Sequence, residues 1–282
     1  MSEEFHPIPG FPVPQVARAH ESLVRRGETL SVTALRVLAR EVILRVSRSE
    51  APVALHNDHP GSAAIELLCD ALLSRDDTAA ADLVQSARLD GMSADTIYHV
   101  YLAEAARRLG QRWDRDEATA AEVILGAGRI YAILRDLRTV FLAQRLVAPP
   151  GAEAIFASVP GEVHGIGATI AADTMRRRGW DISLRLGLGH DALVEEIARL
   201  QPTMLGLSAS LPSMTFATAR LIVALRIRCP HIWILVAGQI VAHDPDIARI
   251  VDADAAAATL DEAEATLTGH LAELTRLSVR QM

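Results

Sequence analysis

The 282-residue sequence contains no lysine, so arginine supplies all 28 of its basic side chains. Without a lysine amine the chain cannot form a Schiff base with pyridoxal phosphate. It also cannot complete the phosphate-binding loop of P-loop ATPases, whose motif contains an essential lysine. The missing lysine therefore excludes two large classes of protein.

Aromatic side chains make up only 4% of the sequence, although 50% of the residues are hydrophobic. A sizeable core must therefore be built mainly from alanine, leucine, valine and isoleucine. The formal net charge is −7. That charge argues against nucleic acid as a direct partner, because gripping a phosphate backbone requires a basic surface.

Cysteine is also scarce, since Cys69 and Cys229 form neither a disulfide framework nor a zinc-binding cluster. No run of about eighteen apolar residues occurs, because arginine and proline interrupt residues 221–241. The first residues, MSEEFHPIPGFPVP, lack the basic stretch and apolar core of a secretory signal. These absences predict a soluble cytoplasmic protein with no membrane partner.

The first half of the sequence is predicted to be helical. Apolar residues recur at helical spacing, alanine and leucine dominate, and strand signals are absent. Successive helices with short joints indicate a helical bundle. We predict a flexible, proline-rich tail over residues 1–15 and a bundle (cap) domain over 16–147. The helical runs are 31–48, 62–74, 78–91, 93–113 and 119–145.

The pattern changes at APPGAEA (148–154), where two prolines and a glycine mark a domain boundary. Beyond it, short apolar runs suited to buried strands alternate with helical runs through five strand–helix units. This alternation predicts a doubly wound parallel sheet, a Rossmann-like α/β domain over 148–282. Ligands of such sheets bind beyond the carboxyl ends of the strands.

The segment VPGEVHGIGATI (159–170) follows the first predicted strand and carries a histidine between a carboxylate and two glycines. Position 164 suits a metal ligand, and Glu162 is near enough to hold the second ring nitrogen of His164. Gly165 and Gly167 allow a bulky group to approach the backbone, and the helix start that follows suits a partly anionic group. A solvated histidine in an ordinary turn is the alternative. Three further features at the same sheet edge favour a site: Ser208–Ser210, Gly238–Gln239 and Thr259–Leu260.

These loops resemble the motifs of the cobalamin-binding domain. GEVHGIG resembles the family motif DxHxxG, LGLSAS resembles SxL, and LVAGQ resembles GG. The likeness covers residues 152–282 in the family's order, and a helical bundle precedes the domain in the family as well. In that family the loop histidine replaces the cofactor's own nucleotide base as the lower cobalt ligand, and the displaced base enters a slot between the first helix and the sheet.

The resemblance implies a role for each loop residue. His164 is the expected cobalt ligand, Glu162 its hydrogen-bonding partner, and Gly167 the residue that leaves space for the nucleotide tail. Ser208 is expected to hydrogen-bond the buried base, and Gly238 to let the tail pass. The other expected cofactor contacts in the loops are Val163, Gly165, Ile166, Ser210, Gln239 and Thr259.

Three positions depart from the family motifs. Glu162 stands in place of aspartate, but its longer side chain still reaches an imidazole. Ser210 replaces the leucine of SxL, and Ala237 replaces the first glycine of GG, which narrows the slot. These departures predict an altered affinity for the cofactor and leave the metal ligand in place.

The segment RLGQRWDRDEATAAEVI (108–124) resembles the part of cobalamin photoreceptors that covers the upper face of the corrin ring. Trp113 matches the aromatic residue that packs on the upper ligand; a tryptophan packed at a helix end is the alternative. The histidines that follow in those photoreceptors are missing, since Asp114, Val123 and Ile124 stand in their places. The usual upper-face histidine is therefore absent.

The other histidines and the basic run give weaker signals. His56 and His59 are interpreted as solvated loop residues, with a role as upper ligands as the alternative. His99 is predicted to pack or contact a partner, and His190 and His243 adjoin strand ends where a ring edge would lie. The run RRR (176–178) is interpreted as a solvated helix end, with binding of corrin carboxylates or partner acids as the alternative.

The chain has no recognisable DNA-binding segment and no catalytic barrel. It resembles the cobalamin-binding antirepressors of photosynthetic bacteria (the AerR/PpaA group), and the proline-rich start, the ExHxxG motif and the altered cap favour that group. The resemblance implies a non-enzymatic, light-responsive transcription regulator that acts through a repressor of photosynthesis genes. A corrinoid carrier of a methyltransferase system is the alternative function. Haem is the alternative cofactor, because histidine also ligates iron.

Overall fold

The helices of the first half form a bundle. The computed structural model describes residues 60–280, so the predicted tail (1–15), the predicted helix over 31–48, His56 and His59 lie outside the described residues. A π-helical segment, Ile97–Leu102, joins the third and fourth helices, and a 3-10 turn, Leu142–Gln144, follows the fifth. The helices are α1 (Ser62–Leu73), α2 (Ala79–Leu89), α3 (Ala94–Thr96), α4 (Ala103–Asp114) and α5 (Ala120–Phe141).

Small residues and one aromatic pair hold the bundle core together. A side chain at Gly126 would lie 2.9 Å from Leu109, so glycine allows α4 and α5 to pack closely. The ring of Tyr98 stacks on Phe141 with centroids 4.0 Å apart. The Tyr98 hydroxyl donates to the carbonyl oxygen of Leu134 at 2.7 Å, which satisfies this buried polar group.

The second half forms the predicted doubly wound parallel sheet. All its strand pairs are parallel, and the strand order is β2-β1-β3-β4-β5. The strands are β1 (Glu153–Ser158), β2 (Asp181–Arg185), β3 (Met204–Ser208), β4 (Trp233–Ala237) and β5 (Ala255–Ala257). The helices are α6 (Ile166–Arg177), α7 (His190–Leu200), α8 (Thr215–Arg228), α9 (Gln239–His243), α10 (Ile247–Val251) and α11 (Leu260–Arg280).

The sheet is buried on both faces, which explains the near-continuous apolar runs of its strands. Helices α7, α8, α9 and α10 contribute to the core on one face. The other face forms a second core with α6 and α11, in which Phe156, Trp180 and Leu267 are buried. None of the helices described between residues 60 and 280 is long and apolar enough to cross a membrane.

Helix α6 joins the bundle to the sheet. Its Ile170 is buried within the bundle core. The carboxylate of Asp173, only 3% exposed, lies 3.0 Å from Nε of Arg138 on α5 and 2.6 Å from Nη1 of Arg176. Further along the bundle, Nε2 of His99 lies 3.2 Å from Oγ1 of Thr174. His99 therefore packs between the bundle and α6, in agreement with the prediction that it is a packing residue.

The run RRR (176–178) ends α6 as predicted, but its side chains are only partly exposed and their charges are paired. Each guanidinium pairs with a carboxylate: Arg176 with Asp173, Arg177 with a bundle aspartate at 2.7 Å, and Arg178 with Asp261 at 2.8 Å. Arg178 also pairs with a glutamate of α11. The partner carboxylates lie on α6, α3 and α11. The arginine run therefore links the end of α6 to the bundle and to the last helix.

Candidate functional site

The loop between β1 and α6 lies at the carboxyl edge of the sheet. Val159, just beyond β1, donates its N–H to the carbonyl oxygen of Ser208 at 3.0 Å, which extends the strand pairing. A tight turn follows, in which Gly161 has a φ of +93° and Glu162 N–H returns to the Val159 carbonyl at 2.9 Å. This turn directs the side chain of Glu162 back under the loop.

The carboxylate of Glu162 is the centre of the site. Its side chain is 2% exposed. One oxygen, Oε1, accepts from the backbone N–H of His164 at 2.8 Å and lies 2.6 Å from Nδ1 of the same imidazole. The other, Oε2, accepts from the backbone N–H of Ser210 at 2.6 Å. Glu162 therefore fixes the His164 loop to the loop after β3.

This arrangement determines the tautomer of His164. An ionised carboxylate only accepts hydrogen bonds, so the ring must carry its proton on Nδ1. Nε2 then keeps its lone pair and is the nitrogen available to a metal. The side chain is 48% exposed, so the imidazole faces open space. A metal ligand oriented by a carboxylate on its second nitrogen is the arrangement that histidine sites favour.

The pKa of Glu162 is lowered from its ordinary value of 4.5. Burial acts to raise it, but the hydrogen bonds from His164 and Ser210 and the attraction of the imidazole outweigh that effect. Because the folded pKa is the lower one, this group stabilises the fold above the ordinary glutamate pKa. That contribution is lost as the pH falls through the folded pKa.

Replacing Glu162 with glutamine should weaken the binding of cobalamin through His164 by about tenfold to a hundredfold. This is the usual effect of losing a residue that orients a metal ligand. A glutamine amide presents one acceptor oxygen to three N–H donors and turns its own N–H groups toward them. Glu162→Asp, which keeps the carboxylate, should retain most of the affinity. Titration of each variant with cobalamin, followed by visible absorption, measures the difference. Equal losses in both variants would contradict the role assigned to the carboxylate.

The two glycines after His164 have different surroundings. A side chain at Gly167 would meet no atom of residues 60–280 within 4 Å, so the described part of the chain leaves space beside it. A Cβ at Gly165 would instead lie 2.5 Å from the hydroxyl oxygen of Tyr131, a bundle residue on α5. The Tyr131 hydroxyl thus occupies the space beside Gly165, whereas the space beside Gly167 is available to a ligand. Val163, between Glu162 and His164, is 81% exposed.

Small side chains form a row on the sheet face that α6 covers. The strand register aligns Ser158 with Ser208, Ser208 with Ala237, and Ala237 with Ala257. Successive residues of a strand point to opposite faces, so these four share the face of the buried Phe156 and Leu235. The row lies at the carboxyl ends of the strands, on the face that α6 covers.

The other predicted site residues lie in different settings. Ser210 contributes its backbone N–H to Glu162, and Gln239 is exposed at the start of α9. Gly238 has a φ of +107°, a conformation that only glycine adopts readily. The hydroxyl of Thr259 accepts from the N–H of Glu262 at 3.2 Å and so caps α11. Ile166 packs against the bundle core.

The start of α5 extends past the start of α6. Arg138 contacts Asp173 and Tyr131 contacts Gly165, so the two helices run in the same direction. Ile124 lies two turns before Tyr131, or about 10 Å further along the axis. Ile124 is 72% exposed, the adjacent Leu125 is 49% exposed, and Trp113 near the end of α4 is 47% exposed. We call these three exposed side chains, Trp113, Ile124 and Leu125, the apolar overhang.

The residues at this edge fit a cobalt corrinoid. His164 supplies a nitrogen ligand in a fixed tautomer, and the open space at Gly167 and the row of small side chains suit a bulky cofactor with a tail. The described residues contain no group of three or more His, Cys, Asp or Glu side chains that could hold a metal by themselves. A single histidine is the kind of axial ligand that a metal already held by a macrocycle takes.

A parallel α/β domain with a carboxylate-held histidine at its carboxyl edge, packed on a helical bundle, is the architecture of a cofactor-binding protein. Residues 152–269 match the B12 binding domain family, and residues 64–138 match a second family that is also described as a B12 binding domain. The two matches together span more than half of the chain. The chain therefore carries a match to a B12 binding domain in its α/β half and to the second such family in its helical half.

Two similar proteins are informative. An "Uncharacterized 20.5 kDa protein in bchF-crtJ intergenic region" of Rhodobacter capsulatus is 33% identical over 103 residues, which are 36% of this chain. The match spans 52% of that protein, about half its length. The structure of the Methanosarcina barkeri monomethylamine corrinoid protein superposes with a TM-score of 0.60 at 18% identity. It covers 74% of this chain and 99% of that one, and shows that the fold is shared.

Sequence reasoning missed two features of this site. Ser158, the last residue of β1, belongs to the row of small side chains, and its Oγ accepts from Gly187 N–H at 3.0 Å. Only the strand register reveals its alignment with Ser208. Tyr131 lies in a helix 34 residues before Gly165, and its contact depends on how the bundle packs. A signal for Ser158 was present, because a serine ends an otherwise apolar strand.

Proposed function

We propose that this chain binds cobalamin with Nε2 of His164 as the lower cobalt ligand, and that it regulates a transcription repressor through cofactor-dependent binding. The observation that carries the first half is the buried Glu162 carboxylate on Nδ1 of His164. That contact leaves an exposed imidazole nitrogen with a free lone pair. The bound cofactor would supply a second axial position on cobalt, opposite His164, at which ligands exchange.

The remaining residues hold the other parts of the cofactor. The displaced nucleotide base would lie against the row Ser158, Ser208, Ala237 and Ala257, whose small side chains carry hydroxyl groups at two of the four positions. The apolar overhang, with Trp113, would cover the upper face of the ring. Haem, the alternative cofactor, has no nucleotide tail and leaves the row unexplained. The row therefore favours cobalamin.

The regulatory half of the proposal is supported by the resemblance to the antirepressors and by one relative. The chain resembles the antirepressors of photosynthetic bacteria, and a relative at 33% identity is named for the bchF-crtJ intergenic region. Corrinoid carriers share the fold, so a carrier function is the competing proposal. An acidic protein that holds a cofactor by one loop and a bundle acts most simply by presenting a different surface when loaded. A ligand shifts such an equilibrium by its differential affinity for the two forms.

A binding experiment with the repressor separates the two functions. The full chain is prepared free of cofactor, loaded with cobalamin in the dark, and loaded and illuminated. Binding to the purified repressor is then followed by pull-down and by gel shift of the repressor's DNA. We expect repressor binding to differ at least about tenfold between the free and loaded chains, a coupling of ordinary size for allosteric proteins.

The His164→Ala chain is the control, and cobalamin should not alter its binding to the repressor. Equal repressor binding by the free and loaded wild type would contradict the regulatory proposal. Methyl transfer from the methylated corrinoid to an acceptor enzyme would instead establish the carrier function.

A further inference from the structure

We propose that Tyr131 is the positioning residue for the His164 loop, and that position 165 is glycine because the Tyr131 hydroxyl occupies the place of a side chain there. The inference rests on the proposed function, in which His164 ligates cobalt. It assigns to a bundle side chain the task of setting the position of a ligand on the α/β domain.

The contact at Gly165 depends on a single atom of Tyr131. An ideal Cβ at Gly165 would lie 2.5 Å from the hydroxyl oxygen but 3.7 Å from Cζ, the ring carbon that bears it. The first distance is a severe overlap, and the second is an ordinary van der Waals contact. The next neighbour is Cδ1 of Leu186 at 3.2 Å, the end of a side chain that can shift slightly. The hydroxyl group is therefore the main obstacle to a side chain at position 165.

The same hydroxyl is connected to the loop by hydrogen bonds. Burial raises the pKa of Tyr131, and a hydrogen bond with the side chain of Thr169 acts in the opposite direction. Oγ1 of Thr169 in turn donates to the carbonyl oxygen of Gly165 at 2.9 Å, alongside the backbone N–H of Thr169 at 3.0 Å. A chain of contacts leads from the bundle to the residue next to His164.

Tyr131 also lies on the helix that carries part of the apolar overhang. Helix α5 presents Ile124 and Leu125 beyond the start of α6, while Tyr131 is wedged against Gly165. One side chain thus sets both the height of α5 above the loop and the position of the loop itself. Movement of the bundle and movement of His164 are therefore expected to be coupled at this contact.

A double-mutant cycle on the full chain tests this coupling. Gly165→Ala should weaken cobalamin binding through His164 by about tenfold, because the new methyl group collides with the Tyr131 hydroxyl. Tyr131→Phe alone should weaken it by about threefold, because the loop loses its contact with the hydroxyl group. Adding Tyr131→Phe to Gly165→Ala should restore most of the lost affinity. The readout is visible absorption of added cobalamin, which reports the fraction with a protein nitrogen on cobalt.

Gly167→Ala provides the matched control in the same loop. A side chain there meets no atom within 4 Å, so Tyr131→Phe should not rescue whatever effect Gly167→Ala has on cobalamin binding. Rescue at position 165 but not at 167 supports the proposal. Additive effects of Gly165→Ala and Tyr131→Phe would overturn it, because the two positions would then act independently.

The cycle is repeated without cofactor, using hydrogen exchange of the amides in residues 162–169. Gly165→Ala should speed their exchange, and Tyr131→Phe should slow it again in the double variant. This second readout keeps the two proposals separate. If the wild type shows no His164-dependent cobalamin spectrum, the proposed function fails, and the exchange data alone then decide whether Tyr131 positions the loop.

Discussion

Replacing Gly238 with alanine should lower the free energy of unfolding by about 3 kcal/mol. Gly238 has φ +107° and ψ −171°, a backbone conformation that is essentially restricted to glycine. An added Cβ would also overlap the carbonyl oxygen of Ala209, a backbone atom that cannot move aside alone. That oxygen accepts from Ile240 N–H at 3.2 Å, so the collision also disturbs the start of α9.

The unfolding midpoint in urea, measured by circular dichroism, gives this loss of stability. Gly128→Ala is the matched control, because a Cβ at Gly128 on α5 would meet nothing within 4 Å. That substitution should stabilise the chain by about 0.5–1 kcal/mol through the better helix propensity of alanine. A Gly238→Ala variant as stable as the wild type would contradict the backbone conformation described at the end of β4.

Replacing His164 with alanine should lower the affinity for cobalamin by at least about a hundredfold, the upper end of the effect expected for a partner that only orients a ligand. The ring that would contact cobalt is removed, and Glu162 loses one of its three hydrogen-bond donors. Stability should fall by only about 1 kcal/mol, because the imidazole is half exposed. His231→Ala, at an exposed position between α8 and β4, should bind cobalamin like the wild type.

A small molecule can replace the missing ring. Free imidazole added to the His164→Ala chain should restore part of the cobalamin affinity, because it supplies the axial nitrogen. Affinity titrations by visible absorption, with and without imidazole, measure this effect. Unchanged affinity in His164→Ala without imidazole would be evidence against ligation by this residue.

Local patterns were sufficient to predict most of the fold. The 3.6-residue spacing of leucine and alanine predicted the bundle helices to within a few residues, and the alternation after 148–154 predicted all five strands. Glu162 and His164 were predictable because two residues separated by one position in a turn can only lie close together. Their hydrogen bond at 2.6 Å follows from local geometry.

Features that depend on tertiary packing could not be predicted. The π-helical segment Ile97–Leu102 interrupts a run that reads as one regular helix. Its Tyr101 donates to the carbonyl oxygen of Ala64 at 3.2 Å, a contact between helices. The pairing of Arg138 with Asp173 and the wedge of Tyr131 at Gly165 likewise depend on how α5 crosses α6. Such contacts carry no periodic signal in the sequence.

Electron paramagnetic resonance of the bound cofactor tests the central claim most directly, because it identifies the atom on cobalt. Cobalamin in the Co(II) state has one unpaired electron, whose resonance lines are split by the nucleus of an axial nitrogen. Natural ¹⁴N gives three lines and ¹⁵N gives two. The chain is produced with ¹⁵N-labelled histidine and loaded with unlabelled Co(II) cobalamin. The account predicts a two-line pattern that disappears in His164→Ala. A three-line pattern in the labelled wild type would show that the cofactor keeps its own base on cobalt and would contradict the assignment of His164.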